Sequence, residues 1–140
     1  MGRTRSYREQ HREIIRLAGS LTARLDPEGL AQHAVFVHAD LLDLAAVLRL
    51  HLVLEDHTLY PELLSHPNPQ VRTLTHQYQL EMGNIHGDFE ALLERWPSSE
   101  SISAAPGQFT AELLAFFQVL HHRMRKEDGE LYPLVDSLES

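Results

Sequence analysis

A histidine and a glutamate four residues apart, inside an otherwise apolar helical pattern, constrain this chain more than any other feature. His51 and Glu55 lie in L-H-L-V-L-E-D-H-T-L-Y-P-E-L, residues Leu50 to Leu63. At about 100° per residue, such a pair sits one turn apart on one face of a helix. That face also carries Val37, Leu44, Val47, Leu48 and Thr58, so the pattern points both polar groups into a core. A lone ionised carboxylate there costs several kcal/mol unless something pairs with it, and a metal ion is one such partner. The motif then returns. E-D-H-T-L-Y-P-E-L (Glu55–Leu63) reappears as E-D-G-E-L-Y-P-L-V (Glu127–Val135), seventy-two residues later and again just after histidines, His121 and His122.

Composition narrows the chemistry. A chain of 140 residues with 43% hydrophobic content suits one domain, 1–140, with its own core. No apolar run reaches membrane-spanning length, and Arg3, Arg5 and Arg8 precede no signal-peptide core, so a cytoplasmic protein without a membrane partner is expected. There are no cysteines, which excludes disulfides, thiolate metal sites and cysteine nucleophiles. A net charge of -8 argues against nucleic acid, which needs a basic face. The ten histidines are the unusual feature, open to ligation, titration or plain surface roles.

Four helical patterns account for the chain. The first spans 4–25, with Tyr7, His11, Ile14, Ile15, Ala18, Leu21, Thr22 and Leu25 on one stripe. Asp26-Pro27-Glu28-Gly29 reads as a turn. The second spans about 30–64, with Pro61 tightening or kinking its last turn. Asn68 and Pro69 form a cap and first-position pair for the third, which spans 69–96. Residues 97–106 read as a Ser/Ala/Pro linker, and the fourth pattern runs over about 106–138. No stretch alternates like a strand. The expected fold is all-α: an antiparallel up-down-up-down four-helix bundle. In it the two L-Y-P ends lie together, level with His11 near the start of the first helix.

Wheel position sorts the candidate ligands. His11 and His51 sit near the centre of their stripes. His86 lies roughly 65° from the third seam and His76 roughly 145°, so His86 is the better inward candidate. Glu127 and Asp128 straddle the fourth seam. His121 flanks it and His122 points nearly outward, yet His122 stands five residues before Glu127; one of the two is expected as ligand and the other as neighbour. The inward set is His11, His51, Glu55, His86, His121 or His122, and Glu127. Three or more imidazoles with two carboxylates at one level suit iron or manganese, and carboxylate bridging suits a dinuclear site. His33, His38, His57 and His66 read as surface or loop residues, Asp128 as a solvated or outer group, and Tyr60 and Tyr132 as packing and end-caps.

At these residues the sequence resembles the hemerythrin-like, or HHE cation-binding, family. The match comprises His51 and Glu55 followed by E-D-x-x-L-Y-P, the lone His11, and His122 with Glu127 on helix four; it covers nearly the whole chain. The resemblance implies a bundle holding a non-haem di-iron centre, with Glu55 and Glu127 as bridging carboxylates and histidines completing each iron. It also implies roles in O2 binding, NO or redox sensing, iron storage or peroxide handling. Two departures stand out. Many members carry a helix-four histidine ten residues before the proline, where this chain has Arg123, and the H-x-x-x-H pair that some members carry on helix three is missing.

The expected function is therefore iron binding, with another divalent metal as the alternative, and with O2, NO or peroxide as the small partner. The enzymatic alternative is peroxide decomposition at the same centre, and the third reading is a metal-free helical interaction domain. No nucleophile–base pair or Gly-rich phosphate loop supports a hydrolase or a nucleotide-binding protein.

Overall fold

The computed structural model describes residues 2–26 and 28–139; Pro27, within the expected Asp26–Gly29 turn, lies outside the described residues. Helix α1 spans Arg5–Ala23. Helix α2 consists of Leu30–Leu54, a π-helical turn Glu55–Leu59 and a last stretch Tyr60–Leu64. Helices α3 (Pro69–Met82) and α4 (Ile85–Arg95) follow, then a short α5, Ser99–Ala104. Helix α6 repeats the build of α2: Pro106–Lys126, a π-helical turn Glu127–Leu131, and Tyr132–Glu139. No strand occurs among the described residues. The expected all-α antiparallel bundle is the fold observed, with α3 and α4 together forming its third rod.

The stripes read from the sequence form the core. Ile14, Leu21, Val37, Leu41, Leu44 and Leu48 are fully buried, as are Val71, Phe89, Phe109, Leu113, Leu131 and Val135. Burying a side chain of this size stabilises the fold by about 1.5–3 kcal/mol, so these residues set the helix faces. One end of the bundle is closed by polar ties between the start of α1 and the end of α6. Thr4 Oγ1 donates to Asp136 at 2.6 Å, Arg8 bonds the same carboxylate at 3.0 Å, and Arg3 pairs with Glu62 and Glu139. This latched end is where both L-Y-P segments lie.

Three local expectations are corrected. Pro61 does not tighten α2; the turn before it widens. Proline lacks an N–H and its ring crowds the carbonyl four residues back, and here Tyr60 N–H reaches Glu55 O, five residues back. The same bond joins Tyr132 N–H to Glu127 O ahead of Pro133. The extra residue shifts the register, so Leu59 is buried and Thr58, expected on the core face, is exposed. The single helix expected over 69–96 is broken at Gly83, whose φ of 62° lies in the region that favours glycine. Asn84 restarts it, its side chain accepting from Gly87 N–H at 2.9 Å. Finally, the expected linker contains α5, started by a reciprocal Ser98–Ser101 capping box and anchored by Ile102, which is fully buried.

Candidate metal centre

Each widened turn begins at a glutamate, and both glutamates point inward. Glu55 and Glu127 are 1% and 0% exposed. One turn before Glu55, His51 is 1% exposed, and His11 comes across from α1 at 1%. One ligand atom from each of His11, His51, Glu55 and Glu127 lies within 4.8 Å of all the others. π-turns inside α-helices concentrate at functional sites, and here each one begins at a buried carboxylate of the cluster.

The wiring of these four residues is consistent throughout. Each has one polar atom tied to an outer partner and one turned inward with no hydrogen bond. His11 Nδ1 meets Asp128 Oδ1 at 2.9 Å and His51 Nδ1 meets Gln10 Oε1 at 2.6 Å. Tyr132 Oη donates to Glu55 Oε2 at 2.8 Å, and Tyr60 Oη donates to Glu127 Oε2 at 2.6 Å. The inward atoms are His11 Nε2, His51 Nε2, Glu55 Oε1 and Glu127 Oε1, all buried without a hydrogen-bond partner. The pairs His51 Nε2–Glu55 Oε1 (2.8 Å) and His11 Nε2–Glu127 Oε1 (3.2 Å) are close but not aligned as hydrogen bonds. Buried polar groups are nearly always satisfied, and four such orphans facing one another form a set that could hold a cation. Outer carboxylate and carbonyl partners on the far ring nitrogen are how a metal-binding histidine is held in its tautomer.

Charge in the cluster follows from burial. Desolvation, reinforced by the facing Glu55, pushes the Glu127 carboxyl up to about 7. His51 is driven down to about 3, first by burial and then by His11, so it is neutral and its Nε2 lone pair is free. Burial would lower His11 too, but its hydrogen bond to Asp128 and the close Glu127 carboxylate win and raise it to about 9. The His11 imidazole therefore keeps its proton at neutral pH when no cation is bound. Burial and the nearby carboxylates raise both Tyr60 and Tyr132, so their hydroxyls stay donors.

The structure brings together His11, His51, Glu55 and Glu127 from the expected set and leaves the other candidates elsewhere. His86 stands just past the helix break, its side chain 35% exposed and 3.6 Å from Glu90; the break ends the single helical phase on which its inward placement was reasoned. His121 and His122 are both exposed, as the outward wheel position of His122 indicated. His76 is exposed as well.

Other residues take parts that the sequence did not assign. Tyr60 and Tyr132 were expected as packing and caps but bind the carboxylates. Gln10 carried no signal, since its role is visible only once α1 is docked on α2. Arg123 is 3% exposed. Its Nε lies 3.3 Å from Glu127 Oε2, and its Nη2 lies 3.1 Å from Asp56 Oδ1 and 3.4 Å from Glu55 Oε1. The carboxylates outweigh burial and hold its guanidinium firmly protonated. Its position one turn before Glu127 was a usable signal.

Among known families, the description Hemerythrin HHE cation binding domain matches residues 4–135, nearly the whole chain. No curated protein and no solved structure gives a significant match.

Proposed function

Because the chain belongs to the hemerythrin HHE cation-binding family, we propose that its buried cluster holds iron and offers it to a small oxidant, O2 or NO. The observation that carries the cation-binding part is the set of four inward, unpartnered ligand atoms. In a metal-free interaction domain such groups would cost stability with no return. When bound, iron supplies redox activity and affinity for small diatomic ligands.

The chain supplies the rest. Asp128 and Gln10 fix the imidazole rings so that Nε2 faces the centre. Tyr60 and Tyr132 each occupy one oxygen of a glutamate and turn the other inward. Arg123 offsets part of the negative charge that two buried carboxylates bring. Two imidazoles and two carboxylates fall short of a full coordination shell, and histidine–carboxylate sets with open positions are typical of non-haem iron that meets O2. A buried location keeps bulk water from competing for those positions.

The test is elemental analysis of protein purified from iron-supplemented growth, with optical spectra before and after anaerobic exposure to NO and then O2. Bound iron with ligand-dependent absorption is expected. Iron-free protein that also refuses added cations overturns the reading, and bound iron with spectra blind to both gases overturns the O2/NO part.

A further inference from the structure

The two widened turns are halves of a local two-fold arrangement, and the symmetry extends beyond them. Tyr60 and Tyr132 each reach across to the other motif's glutamate. Tyr7 donates to Leu54 O at 3.3 Å, and Tyr78 donates to Lys126 O at 3.0 Å; Leu54 and Lys126 each stand immediately before a glutamate. The side chains that matter for ligation break this symmetry. One turn after Tyr7 comes His11; one turn after Tyr78 comes Met82, also buried. One turn before Glu55 comes His51; one turn before Glu127 comes Arg123. One half therefore carries two imidazoles, and the other a thioether and a guanidinium.

Neither replacement suits a second ion beside carboxylates. A thioether is a soft donor matched to Cu(I), and a guanidinium has no lone pair to give and does not lose its proton in a protein. Arg123 also fills the position. It lies against Glu55, Glu127 and Asp56 at once, much as His11 on the other side lies against Glu127 and Asp128.

We propose that the centre takes one cation per chain, held by His11, His51, Glu55 and Glu127, and that the Arg123 guanidinium permanently occupies the place of a second. This rests on the cluster's being a cation site, and it departs from the two-ion centre that the sequence resemblance implies. The arrangement makes one of the two cationic partners of the glutamate pair exchangeable and the other part of the fold. Removing the cation then leaves Arg123 in place against both carboxylates.

The experiment is titration of the metal-free chain with Mn(II), read by native mass spectrometry and electron paramagnetic resonance. One Mn(II) per chain with the spectrum of an isolated ion is expected. Two ions with a coupled spectrum overturn the inference while sustaining the cation site; no tight binding overturns both. The paired variant Met82→His with Arg123→His restores imidazoles to the second half, and its capacity is expected to rise to two coupled ions. Arg123→Lys, which keeps the charge, is expected to stay at one. A correctly folded pair variant that still binds one ion shows that Arg123 is not what limits the count. Should circular dichroism show the pair variant unfolded, the titration of the unaltered chain decides.

Discussion

The Tyr132 hydroxyl donates a 2.8 Å hydrogen bond to Glu55, a residue on the other long helix. Tyr60 returns the gesture to Glu127 at 2.6 Å. Each L-Y-P segment thus orients the carboxylate of its counterpart, so neither glutamate is positioned by its own helix alone. Tyr60→Phe or Tyr132→Phe leaves a carboxylate oxygen buried with one donor fewer. A loss of about 1–3 kcal/mol of stability is expected, along with roughly 10–100-fold weaker cation affinity. Urea denaturation in chelator and calorimetric titration measure the two effects.

His51→Ala and Glu55→Ala each remove an inward ligand. Bound cation is expected to fall sharply in both, while far-UV circular dichroism retains most of its helical signal, because the apolar faces of α2 are untouched. His86→Ala, His121→Ala and His122→Ala are expected to keep full cation content, since His86 is half-buried beside Glu90, His121 and His122 are exposed, and all three lie outside the cluster. Metal analysis of the five proteins side by side checks the division.

Cation binding is expected to strengthen as pH rises. In the cation-free protein Glu127 titrates at about 7, raised by burial, and His11 at about 9, where its carboxylate partners outweigh burial. Both must lose their protons to ligate, so protons compete with the cation below these values. Apparent affinity should climb between about pH 7 and pH 9 and level off above it. The check is a series of Mn(II) titrations across that window; an affinity that falls with rising pH contradicts the assignment of His11 and Glu127.

Gly129 stands in the second widened turn where the first has His57. A Cβ there meets nothing within 4 Å, and the backbone φ is not positive. Gly129→Ala is expected to stabilise the protein by about 0.4–1 kcal/mol through the unfolded chain's lost freedom, with cation content unchanged. Thermal or urea denaturation of the chelated protein reads the difference.

The sequence shows the bundle, and half of the centre, for a clear physical reason. Period-3.6 stripes reveal faces, and a face that buries both leucine and glutamate announces a compensated charge. His11, His51, Glu55 and Glu127 are all legible on that basis. The break at Gly83 was not, because the apolar seam runs on through Met82 and Ile85 without a gap. That hidden break removes the basis for turning His86 inward. Gln10 depends on a contact between helices distant in sequence, which no wheel displays, whereas Asp128, read as an outer group, bonds the far nitrogen of His11. Arg123 was noticed only as a missing histidine. Its positive contribution appears once its guanidinium is seen among three carboxylates.

The polar ties joining the start of α1 to the end of α6 have a further implication. His11 comes from α1, His51 and Glu55 from α2, and Glu127 from α6, and at this end of the bundle Thr4 and Arg8 tie α1 to α6 through Asp136. A fragment lacking either terminal helix offers an ion an incomplete grip. Loading should therefore act as a checkpoint on maturation: whatever binds tightly certifies that α1 and α6 have met, and the captured ion then resists their parting.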